Sequence, residues 1–107
     1  MTKQKVASEV FKISERDFER QVKDLAKIFG WLYYHTWRSI HSPAGFPDCV
    51  MVRGSRIIFA ELKSEKGKVT ANQEAWLNGL RLSKDIEVYV WYPHDWPDIV
   101  NTLRDGQ

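Results

Sequence analysis

Apolar residues recur at helical spacing near the start of the chain: Phe18, Val22, Leu25 and Phe29 fall on one face of a helix. Ser14 is a good N-cap for it, Asp17 stands at N3 in a near capping box, and Glu15 suits the positive end of the helix dipole. Gly30 ends the helix in the C′ manner. Trp31 to Arg38, rich in aromatic residues, predicts the first strand. Ser39 to Pro47 holds Pro43, Gly45 and Pro47 and is a loop that delivers Asp48 to the second strand. An apolar run through Val52, the turn Arg53-Gly54-Ser55-Arg56, and Ile57 to Leu62 make a β-hairpin. The polar stretch Ser64 to Val69 crosses the surface, and Thr70-Ala71-Asn72-Gln73 is a capping box for a second helix. That helix turns Trp76, Leu77, Leu80 and the stem of Arg81 inward. Glu87 to Tyr92 is a last strand stopped by Pro93, and Asp95 caps a short final helix carrying Ile99 and Leu103, with Pro97 in its first turn.

The expected order is αβββαβα, an α/β fold in the sense of a mixed α+β sheet flanked by helices. Three consecutive strands suit a meander, and the helix before the fourth allows a parallel crossover. Residues 14–107 form one domain, preceded by an arm over residues 1–13 that is flexible or partly docked.

The hairpin turn fixes a register. A two-residue Gly-Ser loop with Gly first suits a type II′ turn, so Arg53 faces Arg56, and counting outward brings Asp48 opposite Glu61. Two carboxylates opposed on one face are unfavourable unless a cation lies between them. Lys63 follows on the same face, one pleat beyond Glu61. Hard oxygen donors without clustered Cys or His point to Mg²⁺ or Mn²⁺.

Composition changes this picture little. The 107 residues carry a formal net charge of +2, only mildly basic, so a nucleic-acid partner would have to be met by a local patch. Arg53, Arg56, Lys63, Lys66 and Lys68 cluster in sequence near the carboxylates, as a binding patch or as solvated turns. The lone Cys49 lies in an apolar strand and is expected to be a buried, reduced thiol. No apolar run is long enough for a signal peptide or a membrane span, so a cytoplasmic location is expected.

Pro47-Asp48 followed by Glu61-Leu62-Lys63 resembles the PD-(D/E)xK nuclease signature. Gly30-Trp31 after a helix, Gly45-Phe46-Pro47-Asp48, Phe59-Ala60-Glu61-Leu62-Lys63-Ser64, Gly67-Lys68 and Gln73 together resemble the stand-alone VRR-NUC nucleases of phages and bacteria, related to Holliday junction resolvases, from about Ser14 to Leu103. The resemblance implies a restriction-endonuclease-like αβββαβ core with an extra C-terminal helix, and a metal-dependent DNA endonuclease leaving 5′-phosphate ends. It implies metal ligands at Asp48, Glu61 and the main-chain carbonyl of Leu62, with Glu15 completing the set and Glu19 as the alternative. Lys63 would position the attacking water and hold negative charge, and Gln73 would hydrogen-bond phosphate or water. Branched DNA such as a four-way junction is the expected substrate, cut by a homodimer in a bacterial or phage-infected cell. Trp91, Tyr92 and Trp96 offer an aromatic patch for the dimer interface.

Each of these residues also has a plainer reading: Glu15 as dipole compensation, Glu19 as an exposed partner of Lys23, Gln73 as a cap, Lys63 as a surface counter-ion. Arg38, His41, Lys66 and Lys68 are candidate nucleic-acid contacts, and Trp37 beside Arg38 could stack on an exposed base. His35 and His94 carry no specific signal. A catalytically silent nucleic-acid binding module, or a nuclease active only within a larger phage assembly, are the competing functions.

Overall fold

A computed structural model describes residues 12–37 and 40–106. The proposed arm over residues 1–13 therefore lies almost wholly outside the described residues. Helix α1 spans Glu15–Ile28, with the Ser14 hydroxyl accepting from the Asp17 amide at 3.1 Å. Its fully buried line is Phe18, Val22 and Ala26, while Leu25 and Phe29 pack at its edge. Gly30 takes a left-handed φ of 84°, which lets the chain turn so that the Trp31 amide bonds to the Ala26 carbonyl at 2.9 Å.

The first strand is shorter than its composition predicts. β1 covers Leu32–His35, because Trp31 is drawn into the core, where its indole nitrogen donates to the Leu103 carbonyl at 2.8 Å. β2 (Cys49–Arg53) and β3 (Arg56–Leu62) form the expected hairpin, with Arg53 opposite Arg56 and Cys49 opposite Ala60. Gly54 has φ 59° and Ser55 has no positive φ, as a type II′ turn requires. Helix α2 (Ala71–Leu80) starts with the complete Thr70–Gln73 capping box and carries the chain over to β4 (Glu87–Trp91), which pairs parallel to β3. A single turn of 3₁₀ helix, Pro93–Asp95, leads to α3 (Trp96–Arg104).

Among the described residues the result is a mixed α+β fold: a four-stranded sheet in the order β1-β2-β3-β4 with three helices. Strand alternation divides the side chains. Cys49, Met51, Ile58, Ala60, Leu62 and Trp91 join Phe18 and Val22 of α1 and Ile99 and Leu103 of α3 in one core. Phe59 points the other way, where Phe46 bridges it to Trp76 of α2 through two edge-to-face contacts, with ring centroids 5.9 and 5.0 Å apart. Burial pushes the Cys49 thiol up to about 12, so it is an inert core residue. Among the described residues no helix is long and apolar enough to cross a membrane.

Three expectations fail here. Asp95 does not cap α3: its carboxylate accepts from the Tyr92 amide at 2.9 Å and closes the 3₁₀ turn instead. The expected aromatic patch does not form, because Trp91 is only 4% exposed and stacks on Tyr89 while Trp96 packs against the core. Arg53 and Arg56 belong to neither a binding patch nor free turns. They lie over the Trp31 ring, 4.6 and 4.9 Å from its centroid, and donate to main-chain carbonyls of Phe29, Thr102, Leu103, Asp105 and Gly106. Arg56 also grips Glu87 through two bonds of 2.6 and 2.7 Å.

Candidate active site

At the opposite end of the hairpin from these arginines, the buried Pro47 hands the chain to Asp48, which continues the ladder register toward Glu61. Asp48 Oδ2 accepts from the Leu62 amide at 2.7 Å. Glu61 is 1% exposed and Lys63 7%, unusual burial for ionisable side chains. Lys63 Nζ lies 3.5 Å from Glu61 Oε2, and Gln73 Nε2 donates to the same oxygen at 2.8 Å. The other oxygen, Oε1, is buried and has no hydrogen-bond donor.

Gln73 combines its two readings. Its Oε1 accepts from the Thr70 amide at 2.9 Å, completing the cap, while its amide nitrogen reaches Glu61. The loop glycines make this meeting possible. Gly45 has φ 102°, and a Cβ there would come within 2.5 Å of the Asn72 main chain, so only glycine lets the β1–β2 loop lie directly on the first turn of α2. A Cβ on Gly67 would meet the Lys63 stem at 3.3 Å, so that turn packs closely over the lysine.

The electrostatics follow from burial and like charge. Burial, then the Asp48 charge, pushes the Glu61 carboxyl up to about 8, with Lys63 offsetting part of the rise. Burial also raises Asp48, against the pull of the Leu62 amide bond. The pair therefore tends to share a proton at neutral pH, the expected outcome when two desolvated carboxylates adjoin.

Both candidate glutamates of α1 reach this neighbourhood. Glu15 is raised by burial and by Asp48, and lowered by Lys63 and a main-chain bond with Ser64. Glu19 adds to the negative field at Asp48, but its carboxylate is engaged by the Tyr33 hydroxyl at 3.2 Å and by His35 Nδ1. Tyr33, His35 and the His35 ring contact with Trp37, with centroids 4.8 Å apart, were not legible as site residues. Alternation along Leu-Tyr-Tyr-His puts Tyr33 and His35 on one face, but which helix residue they meet depends on docking. His41 lies exposed in the loop before Asp48, and Lys66 and Lys68 are exposed beyond Lys63. Arg38 lies outside the described residues. A groove of about 1070 Å³ runs from Tyr34 and Trp37 past Phe46 and Trp76 to Asp48 and Gln73.

Among the described residues no group of three or more His, Cys, Asp or Glu side chains is arranged to hold a metal ion. Mg²⁺ does not need one, since it commonly takes one or two carboxylates and keeps waters and substrate phosphate as its remaining ligands. Asp48 and Glu61 fit that demand, and the donorless Glu61 oxygen is the kind of group a cation would satisfy. Compared with protein-family models, with proteins of known function and with solved structures, the chain matches none.

Proposed function

We propose that this chain is a Mg²⁺- or Mn²⁺-dependent DNA endonuclease of the VRR-NUC type, with a PD-(D/E)xK core, hydrolysing phosphodiester bonds in branched DNA to leave 5′-phosphate ends. The observation that carries the reading is the pair of desolvated, mutually repelling carboxylates, Asp48 and Glu61, with one buried Glu61 oxygen lacking a hydrogen-bond donor and Lys63 3.5 Å from Glu61. Such a pair is costly in an apoprotein and useful to one that binds a cation. The order αβββαβα and the mixed sheet support the same reading.

Asp48, Glu61 and the Leu62 carbonyl would hold the ion, with Glu15 as the third acidic contributor. Bound there, a divalent ion supplies Lewis-acid polarisation of the phosphate and a more acidic water. Lys63 places a fixed positive charge where charge accumulates on the phosphate, and its burial keeps that charge unscreened. Gln73 holds Glu61 in place through one oxygen and leaves the other free. The enzyme would work in the cytoplasm of a bacterium or an infected host cell.

Calorimetric titration with Mn²⁺ tests the ligand set. The parent should bind, Asp48→Ala should lose binding, and Glu15→Gln should weaken it while Glu19→Gln, already committed to Tyr33 and His35, leaves it nearly intact. Asp48→Ala binding Mn²⁺ as tightly as the parent would make the carboxylate pair structural.

Symmetric cutting of a four-way junction needs two such sites, which a two-fold homodimer supplies. Light scattering at micromolar protein should give twice the chain mass; a monomer that still makes paired cuts would remove the dimer from the proposal.

A further inference from the structure

The groove that ends at Asp48 and Gln73 has a composition unlike that of a surface made to hold a DNA backbone. Tyr34, Trp37, Phe46 and Trp76 supply its aromatic walls, and no Lys or Arg among the described residues lines it. Among the described residues Asp48 is the one Asp, Glu, Lys, Arg or His side chain that lines it, at the end where Gln73 also lies. A neutral, flat, apolar group lying in this groove would meet ring faces.

Two of those rings are unusually available. Trp37 is 79% exposed and Tyr34 63%, yet Trp37 is not simply loose on the surface. Its ring stands edge-on to His35, at 89° between planes, and His35 is itself held by Glu19 of α1. The Glu19–His35–Trp37 chain of contacts thus presents an indole to solvent in a set orientation beside the site. The opposite wall is equally fixed, since Trp76 and Phe46 are locked edge-to-face and the loop behind them is pressed on α2 at Gly45.

We infer that the groove receives an unpaired DNA strand, its bases stacking on Trp37 and Tyr34, while the adjoining phosphate reaches Lys63 and the carboxylates. This assignment rests on the nuclease reading and narrows its substrate to branched DNA that carries unpaired nucleotides beside the cut. A base within a duplex has both faces covered by its neighbours, so it cannot use an exposed indole, whereas a single strand can. The volume of about 1070 Å³ is ample for such a flat ligand.

The test uses the full chain and fluorescence anisotropy in Ca²⁺ with four probes: an oligothymidylate of about 12 nucleotides, an RNA oligomer of equal length, a blunt duplex, and the same duplex with a single-stranded flap. Trp37→Ala should lose about tenfold affinity for the oligothymidylate and the flapped duplex, with blunt-duplex binding changed less than about twofold. Trp37→Phe, which keeps a ring face, should retain most of the affinity. Because Trp37 is largely exposed, its replacement removes no core packing, and melting curves should coincide. Equal losses on flapped and blunt duplex, or no loss on either, would overturn the groove assignment, and tighter binding of the RNA probe would overturn its assignment to DNA. Cleavage in Mg²⁺ separates the two ideas. Trp37-dependent strand binding without cleavage of any probe would sink the nuclease reading and leave the groove standing. Cleavage of flapped and blunt DNA alike, unaffected by Trp37→Ala, would do the reverse.

Discussion

Lys63→Ala should slow DNA cleavage by roughly 10²–10³-fold at neutral pH, while binding of the same DNA in Ca²⁺ changes by less than about twofold. The asymmetry comes from where the ammonium sits. It is almost wholly buried, its stem is covered by the Gly67 turn, and it lies against Glu61. One such charge is a minor share of the total attraction for a polyanion, but in a desolvated site it acts strongly on charge that builds up during attack. Lys63 also lowers the Glu61 carboxyl from where burial and Asp48 would set it, so on the proposed reading its loss would weaken metal binding at neutral pH as well. Rates at saturating Mn²⁺ distinguish these routes: full recovery there would reduce Lys63 to a counter-ion for Glu61, and unchanged cleavage at any metal concentration would remove it from the site.

The second large effect is on the metal-free protein. Glu61 is pushed up to about 8 from an ordinary 4.5, so the folded state holds its proton more tightly than the unfolded chain does. Its contribution to stability is complete below about pH 4.5 and is lost as pH rises to about 8. Thermal melts of the metal-free protein should therefore fall across that window, and Glu61→Gln, which keeps a partner for Gln73 but carries no charge, should melt about 5 °C higher than the parent near pH 8.5. The two should converge near pH 4. Adding Mg²⁺ at the higher pH should raise the parent's melting temperature and leave the variant's unchanged. A flat difference between the two proteins across pH would mean that the carboxylate is not strained by its surroundings.

Much of this site was legible because its register is a local property. Gly54-Ser55 sets one turn, and the register along the hairpin follows by counting as far as Cys49 opposite Ala60, with Asp48 and Glu61 next in line. Ser14 and the Thr70–Gln73 box are likewise visible, since a cap acts within one turn of its helix. The failures are non-local except at Asp95, whose carboxylate closes the 3₁₀ turn at Tyr92 instead of capping α3. Whether Arg53 and Arg56 face solvent or the carbonyls at residues 102–106 depends on where α3 returns. Trp91 and Trp96 look like surface candidates in a short window, but their burial is decided by α1 and α3 closing over the same face of the sheet. The Glu19–Tyr33–His35 cluster needs the docking of α1 on β1, which periodicity leaves open.

The tie between the hairpin tip and the last turn of α3 also bears on when this domain can assemble during synthesis. Arg53 and Arg56 stand opposed across the turn as like charges, and the carbonyls that satisfy them come from residues 102–106. Until that stretch clears the ribosome the tip carries two unpartnered cations, and β3 lacks the β4 edge that flanks Glu61. The hairpin bearing Asp48 and Glu61 is therefore expected to set firmly only once β4 and α3 have joined it. On the nuclease reading proposed above, a nascent chain would carry Asp48, Glu61 and Lys63 in an unassembled form, and cutting competence would wait until β4 and residues 102–106 are in place.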